Sequence, residues 1–191
     1  MSIPGYRPKL IASDLDGTIV PHDEPVSKRT VEAFQKAHSM GIEIFYVTGR
    51  PPRWMEDVKK DFGVGNAICA NGAILFDLMN QKIVEQWLLS EETQREIAEK
   101  LRQAIPGCHF AIEHGDEFFR EKLYNTKWDA GIDNVGVELI EEKINQPAFK
   151  MMVRHPDHTF TSDEMLERAL SAVGDICNPT HSNPYESHLE I

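Results

Sequence analysis

The 191-residue sequence predicts an α/β fold, a parallel sheet with helices on its faces, joined to a second unit of α+β character. Three observations predict it. Up to about residue 73, short apolar runs alternate with stretches of helical periodicity. Beyond residue 82, hairpin-like runs are interleaved with two helical patterns. Charge divides along the same line: residues 1–81 hold 9 Lys/Arg and 10 Asp/Glu, whereas residues 82–191 hold 11 and 21. Nearly all of the net charge of −11 therefore lies in the second unit, and such a shift suggests two units with different roles. The expected division is 1–81 and 82–191.

The first unit reads strand, helix, strand, helix, strand. Lys9-Leu10-Ile11-Ala12-Ser13 is an apolar run that stops at Asp14. Ser27 suits a helix N-cap, with Val31, Phe34 and Ala37 on the apolar face and Gly41 closing the helix. Ile42 to Val47 is β-branched and aromatic, hence a strand, ending at Thr48-Gly49-Arg50. Pro51-Pro52 opens a helix to Phe62, proline being favoured in the first turn. Ala67 to Ala70 is a third strand, stopped by Asn71-Gly72. In the second unit, Ser90 caps a helix to Ala104, and His109 to Glu121 reads as a hairpin turning at Gly115-Asp116. Ala148 to His155 reads as a strand, Thr161 to Val173 as a helix, and Ile176 onward as one or two strands. Residues 128–146 match no single pattern.

Composition excludes several classes. At 41% hydrophobic and 27% charged the chain is an ordinary globular one. Its acidic balance argues against nucleic-acid binding. No apolar run approaches the roughly 20 residues of a membrane span, and the first residues lack the apolar stretch of a secretory signal. Cys69, Cys108 and Cys177 are an odd, scattered set, expected to be reduced thiols in a cytoplasmic protein.

The chemistry gathers at strand ends, where open α/β sheets place their ligands. Asp14-Leu15-Asp16-Gly17-Thr18 sets two carboxylates two residues apart, a compact anionic site for a hard cation such as Mg²⁺. A calcium loop starting at Asp14 fails on spacing, because its fifth, sixth and twelfth positions are Thr18, Ile19 and Pro25. Thr48 and Gly49 offer a hydroxyl and a backbone N–H to phosphate oxygens, and Arg50 a bidentate partner for an anion. Asn71-Gly72 is a turn signal first and a substrate contact second.

Taken together, Leu10 to Val20, Val47 to Arg50, and Asn71 to Ala73 resemble the haloacid dehalogenase (HAD) superfamily of phosphatases, in particular its Cof-like members with an α/β cap. The resemblance implies the N-terminal half of a HAD-like, Rossmann-like three-layer core over 1–81 and a cap over 82–191. It also implies a Mg²⁺-dependent phosphatase for a small phosphorylated metabolite, such as a sugar phosphate. Asp14 would be the nucleophile that forms an aspartyl-phosphate, and Asp16 the general acid and then base. Asp14 and the Asp16 backbone carbonyl would hold the metal. Gly17, Thr18, Thr48, Gly49, Arg50 and Asn71 would contact phosphate or substrate.

Two elements that the family carries after its cap, a lysine opening a helix and a Gly-Asp-x-x-Asn-Asp loop, are not found in this sequence. Lys150, inside Phe149 to Val153, reads as a solvated strand lysine and not as a substitute, and Gly174-Asp175 lacks the further acidic residue. The expectation is a chain truncated after the cap, short of roughly 60–80 residues of core, with an unpaired sheet edge near the first strand. Competing readings are a phosphomutase of the same superfamily and a non-catalytic phosphate-binding or interaction fragment. A dehalogenase is disfavoured, because Asp16 is placed for the acid–base work that an alcohol leaving group requires.

Overall fold

The computed structural model describes residues 8–124 and 135–191. Two compact units, one ending at Trp87 and the other running Leu88–Ile191, are taken in turn.

The first unit holds strands β1 (Leu10–Asp14), β2 (Glu43–Val47), β3 (Asn66–Cys69), β4 (Ile74–Asp77) and β5 (Lys82–Gln86), with helices α1 (Lys28–Ser39) and α2 (Met55–Phe62). The sheet order is β1-β2-β3-β4-β5. β1, β2 and β3 run parallel, with Asp14 opposite Val47 and Val47 opposite Ile68. β4 and β5 then add antiparallel, so the sheet is mixed and not wholly parallel. The cause is local. The Asn71-Gly72 turn folds β4 straight back on β3, and a second turn follows at Asp77, whose carboxylate accepts from Asn80 N (3.0 Å) and Nδ2 (2.7 Å). That turn keeps Lys82–Gln86 in the first sheet, so the units part after Trp87, later than the charge shift suggests.

The Ser27 hydroxyl accepts from Thr30 N at 3.1 Å, capping α1, and Gly41 follows the helix at φ +78°. α1 has no fully buried residue; its Phe34 stacks on Tyr46 and meets Phe62 edge-on, with ring centroids at 5.8 and 5.5 Å. A short 3₁₀ turn at Pro52–Trp54 precedes α2, so the regular helix starts later than Pro52, and Met55, Val58 and Phe62 line its buried face. β1 lies at the sheet edge, and its Leu10 is 47% exposed.

The second unit packs helices α3 (Glu91–Ala104) and α4 (Ser162–Val173) with an antiparallel sheet of β6 (His109–His114), β7 (Glu117–Arg120), β8 (Lys150–Arg154) and β9 (His188–Glu190), ordered β7-β6-β8-β9. Ile97 and Leu101 of α3, Met165 and Ala169 of α4, and the inward residues of β6, β8 and β9 form one buried cluster. The hairpin turns at Gly115-Asp116. After residue 176 a single strand forms, with one isolated bridge between Thr180 and Glu190. Of the ambiguous 128–146 stretch, Ile140–Lys143 is a 3₁₀ turn, and the part up to 134 lies outside the described residues. Lys150 is not solvated: it is buried on a strand flanked by β6 and β9, with Nζ 2.7 Å from Glu190 Oε1.

Distant parts of this unit meet at Glu121, which is 1% exposed. Its carboxylate accepts from Phe110 N (3.2 Å) and Ile140 N (2.9 Å), pairs with Arg102, and lies 3.0 Å from His109 Nδ1. Burial alone would lower the Arg102 pKa, but hydrogen bonds to Glu141 and Glu121 outweigh it and raise the pKa. Replacing Glu121 with Ala strips two backbone N–H groups of their acceptor and leaves Arg102 with Glu141 alone. We expect a loss of about 3 kcal/mol in denaturant titration, the scale for breaking a buried pair.

His188, whose Nε2 lies 3.1 Å from Tyr124 Oη, is pushed down to about 4 by burial, with the Arg154 and Lys150 cations outweighing Glu190. An unfolded histidine titrates near 6.5. Between those values the unfolded chain binds a proton that the folded unit refuses. Stability is therefore complete above about pH 6.5 and falls as pH drops towards 4. His188→Phe should flatten that slope, read as fewer protons taken up on unfolding at pH 5.

Candidate functional site

The parallel register brings the carboxyl ends of β1 and β2 level, so Asp14 and Thr48 emerge side by side. Beyond β1 the chain makes a tight turn: the N–H groups of Thr18, Ile19 and Val20 all donate to Leu15 O, at 3.2, 3.0 and 2.8 Å, and Gly17 N donates to Val20 O at 2.9 Å. Leu15 is fully buried beneath the turn, which leaves Asp14, Asp16, Gly17 and Thr18 on the exposed side. Gly17 sits at φ +74°, a conformation that favours glycine; a Cβ there would lie 3.1 Å from the exposed His22 ring, which has room to yield.

Each carboxylate has its own partner. Thr18 Oγ1 donates to Asp14 Oδ2 at 2.8 Å, leaving Oδ1 without a hydrogen bond from any described residue. Arg50 grips Asp16 as a fork, Nε to Oδ2 at 2.9 Å and Nη2 to Oδ1 at 2.5 Å. The sequence points to Arg50 as an anion partner; the anion it meets in the structure is the chain's own Asp16. The register held the clue, since Asp14 opposite Val47 sets Asp16 near the level of Arg50. Thr48 is 4% exposed, its N–H donates to Ile68 O at 2.9 Å, and its hydroxyl accepts from Arg50 N at 3.1 Å, so the hydroxyl proton stays available to an acceptor. Asn71 is tied to the same turn, its N–H 3.4 Å from Thr48 O. It stands at φ +55°, between Ala70 at +50° and Gly72 at +106°. Three successive left-handed residues are costly for the two that are not glycine. The strain at Ala70 carries no sequence signal.

The residues fit a hard cation as a partial shell. Asp14 Oδ2, which keeps a lone pair beyond its bond from Thr18, and the Asp16 carbonyl, which accepts no hydrogen bond from a described residue, are the two oxygen donors. Mg²⁺ typically takes one or two protein carboxylates and completes its shell with water and phosphate. Among the described residues no group of three or more His, Cys, Asp or Glu forms a closed metal site. The cysteines stand apart from this chemistry: all three are free, and burial pushes Cys69 and Cys108 up to about 12 and Cys177 to about 11. Among the described residues, no helix is long and apolar enough to cross a membrane.

Comparison with known proteins bears on the family and the fold. The family model of haloacid dehalogenase-like hydrolases matches residues 11–191. A putative phosphatase of Bacillus subtilis, YkrA, is 29% identical over 101 residues, covering 53% of this chain and 37% of its own length. The match thus spans little more than a third of that relative. Among solved structures, the HAD phosphatase BT1666 of Bacteroides thetaiotaomicron superposes with a TM-score of 0.74 at 20% identity, over 100% of this chain and 70% of its own. The HAD subclass IIB sugar phosphatase BT4131 gives 0.70 at 19%, over 95% and 68%. At these identities the structural likeness speaks for the fold.

Gly17→Ala should lower thermal stability, with a cost of about 1–2 kcal/mol for the left-handed conformation alone. A melting temperature unchanged from the wild type would mean that the turn rearranges without cost.

Proposed function

This chain belongs to the haloacid dehalogenase-like hydrolase family, and we propose that it serves as a Mg²⁺-dependent phosphatase acting on a small phosphorylated metabolite of the sugar-phosphate class. The observation that carries the reading is the convergence of Asp14, Asp16, Thr18 and Thr48 on one end of the parallel strands. The names of relatives support it: one is a putative phosphatase and another a sugar phosphatase.

In the proposed reaction the free Oδ1 of Asp14 attacks phosphorus. An Asp14 O–P bond forms, the ester P–O bond breaks, and the leaving oxygen takes the bonding pair together with a proton from Asp16, which in its acid form keeps one oxygen on Arg50 and turns the other, protonated, to the leaving group. A water then attacks the aspartyl-phosphate, giving its proton to Asp16, and the Asp14 O–P bond breaks to release inorganic phosphate. Thr18 orients the nucleophile through its bond to Oδ2, and the Thr48 hydroxyl donates to a phosphoryl oxygen. Gly17, Gly49 and Asn71 line the approach with backbone and amide groups. Asp14 Oδ2 and the Asp16 carbonyl would hold Mg²⁺, whose positive charge would offset repulsion between the carboxylate and the phosphate. The proposed division of labour makes the first unit the catalytic core and the second the cap; a cytoplasmic location and a small non-polymeric substrate belong to the same reading.

The test is phosphate release from a hexose phosphate. We expect activity with Mg²⁺, its loss on chelation and return on adding Mg²⁺. Asp14→Asn should reduce release about a thousandfold or more, the scale on which a lost nucleophile is felt. Release that survives both treatments overturns the reading, and an isomerised sugar phosphate without free phosphate identifies a mutase instead.

A further inference from the structure

We infer that Arg50 is a positioning residue for Asp16: it aims the Asp16 carboxylate, and its contribution to turnover is made at the leaving oxygen and not at the phosphoryl group. The inference rests on the phosphatase reading above.

Arg50 springs from a fixed base. Its N–H donates to Thr48 Oγ1 at 3.1 Å and its carbonyl accepts from Ala70 N at 3.0 Å, so the loops after β2 and β3 clamp its backbone from both sides. The guanidinium then presents Nε and Nη2, its most directional edge, to both oxygens of Asp16. Asp16 is the looser partner, with its side chain 46% exposed against 22% for Arg50. Arg50 is the sole described residue that holds the Asp16 carboxylate. Without it, Asp16 is left with the free choice of staggered rotamers open to an exposed aspartate. Asp14 does not depend on Arg50, since Thr18 holds it. Removing the guanidinium therefore disorders one carboxylate and spares the other.

Selectivity of this kind has a kinetic signature. An aryl phosphate expels a phenolate that needs little protonation, whereas an alkyl phosphate expels an alkoxide that needs an acid. Arg50→Ala should lower kcat on a hexose phosphate about a hundredfold, in the range of general acid–base contributions, with KM little changed. On an aryl phosphate the loss should be at least tenfold smaller, which also reports that the variant is folded. Arg50→Lys, offering a single-point contact, should recover part of the alkyl activity. In an Asp16→Asn background, Arg50→Ala should cost almost nothing more, because residues acting as a unit are not additive.

Equal losses on both substrates with a raised KM, or losses that multiply in the Asp16→Asn background, overturn the inference and make Arg50 a phosphate ligand. A wild-type chain silent on both esters, or as active after Asp14→Asn, overturns the phosphatase reading and the inference with it.

Discussion

The parallel register of β1, β2 and β3 is the constraint from which the site follows. Parallel strands end at the same edge of the sheet, and with Asp14 opposite Val47 and Val47 opposite Ile68 the three following loops are brought level. Each loop delivers a different group: carboxylates after β1, a hydroxyl and a guanidinium after β2, an amide after β3. Hydrogen bonds then knit the loops to one another, Thr48 N to Ile68 O and Ala70 N to Arg50 O among them. The buried Leu15 anchors the first loop from beneath, so its exposed carboxylates stand on a packed support.

The second unit solves a different problem. Its apolar cluster joins α3, α4, the sheet and Ile140 of the turn at Ile140–Lys143, and the turn has a polar tether besides. Glu121 supplies it by accepting from Ile140 N, while Arg102 spans from Glu121 to Glu141. A buried ion pair of this sort is weak evidence of net stability, but removing one partner leaves the other charge buried and uncompensated. The unit's acidic composition thus includes carboxylates that serve its interior.

Much of this was legible from the residues. The ends of β1 and β2 announce themselves because β-branched and aromatic runs stop abruptly at Asp14 and Thr48, and the N-caps at Ser27 and Ser90 mark their helices. The antiparallel β4 and β5 were not legible, because Asn71-Gly72 signals a turn without saying whether the next residues return to the sheet. The burial of Lys150 has no sequence signal, since a strand sequence does not reveal whether the strand is central, and a central position buries it beside Glu190. The Glu121 tether joins residues some twenty apart on either side, a pattern with no local signature. The Arg50 fork falls between these cases: each residue stands out alone, and only the register pairs them.

The β1–β2 crossover also bears on how the chain reaches this state. Asp16 and Arg50 are 34 positions apart, and α1 lies between them. Their meeting requires the entropic cost of closing that loop before any β1–β2 hydrogen bond is gained, which makes the pairing a slower, non-local event than the β3–β4 and β4–β5 hairpins. A collapsed species with both helices formed but β1 undocked would have the right secondary structure and no site. Restoration of the Asp16–Arg50 contact during refolding therefore marks completion of the sheet and not the arrival of helix.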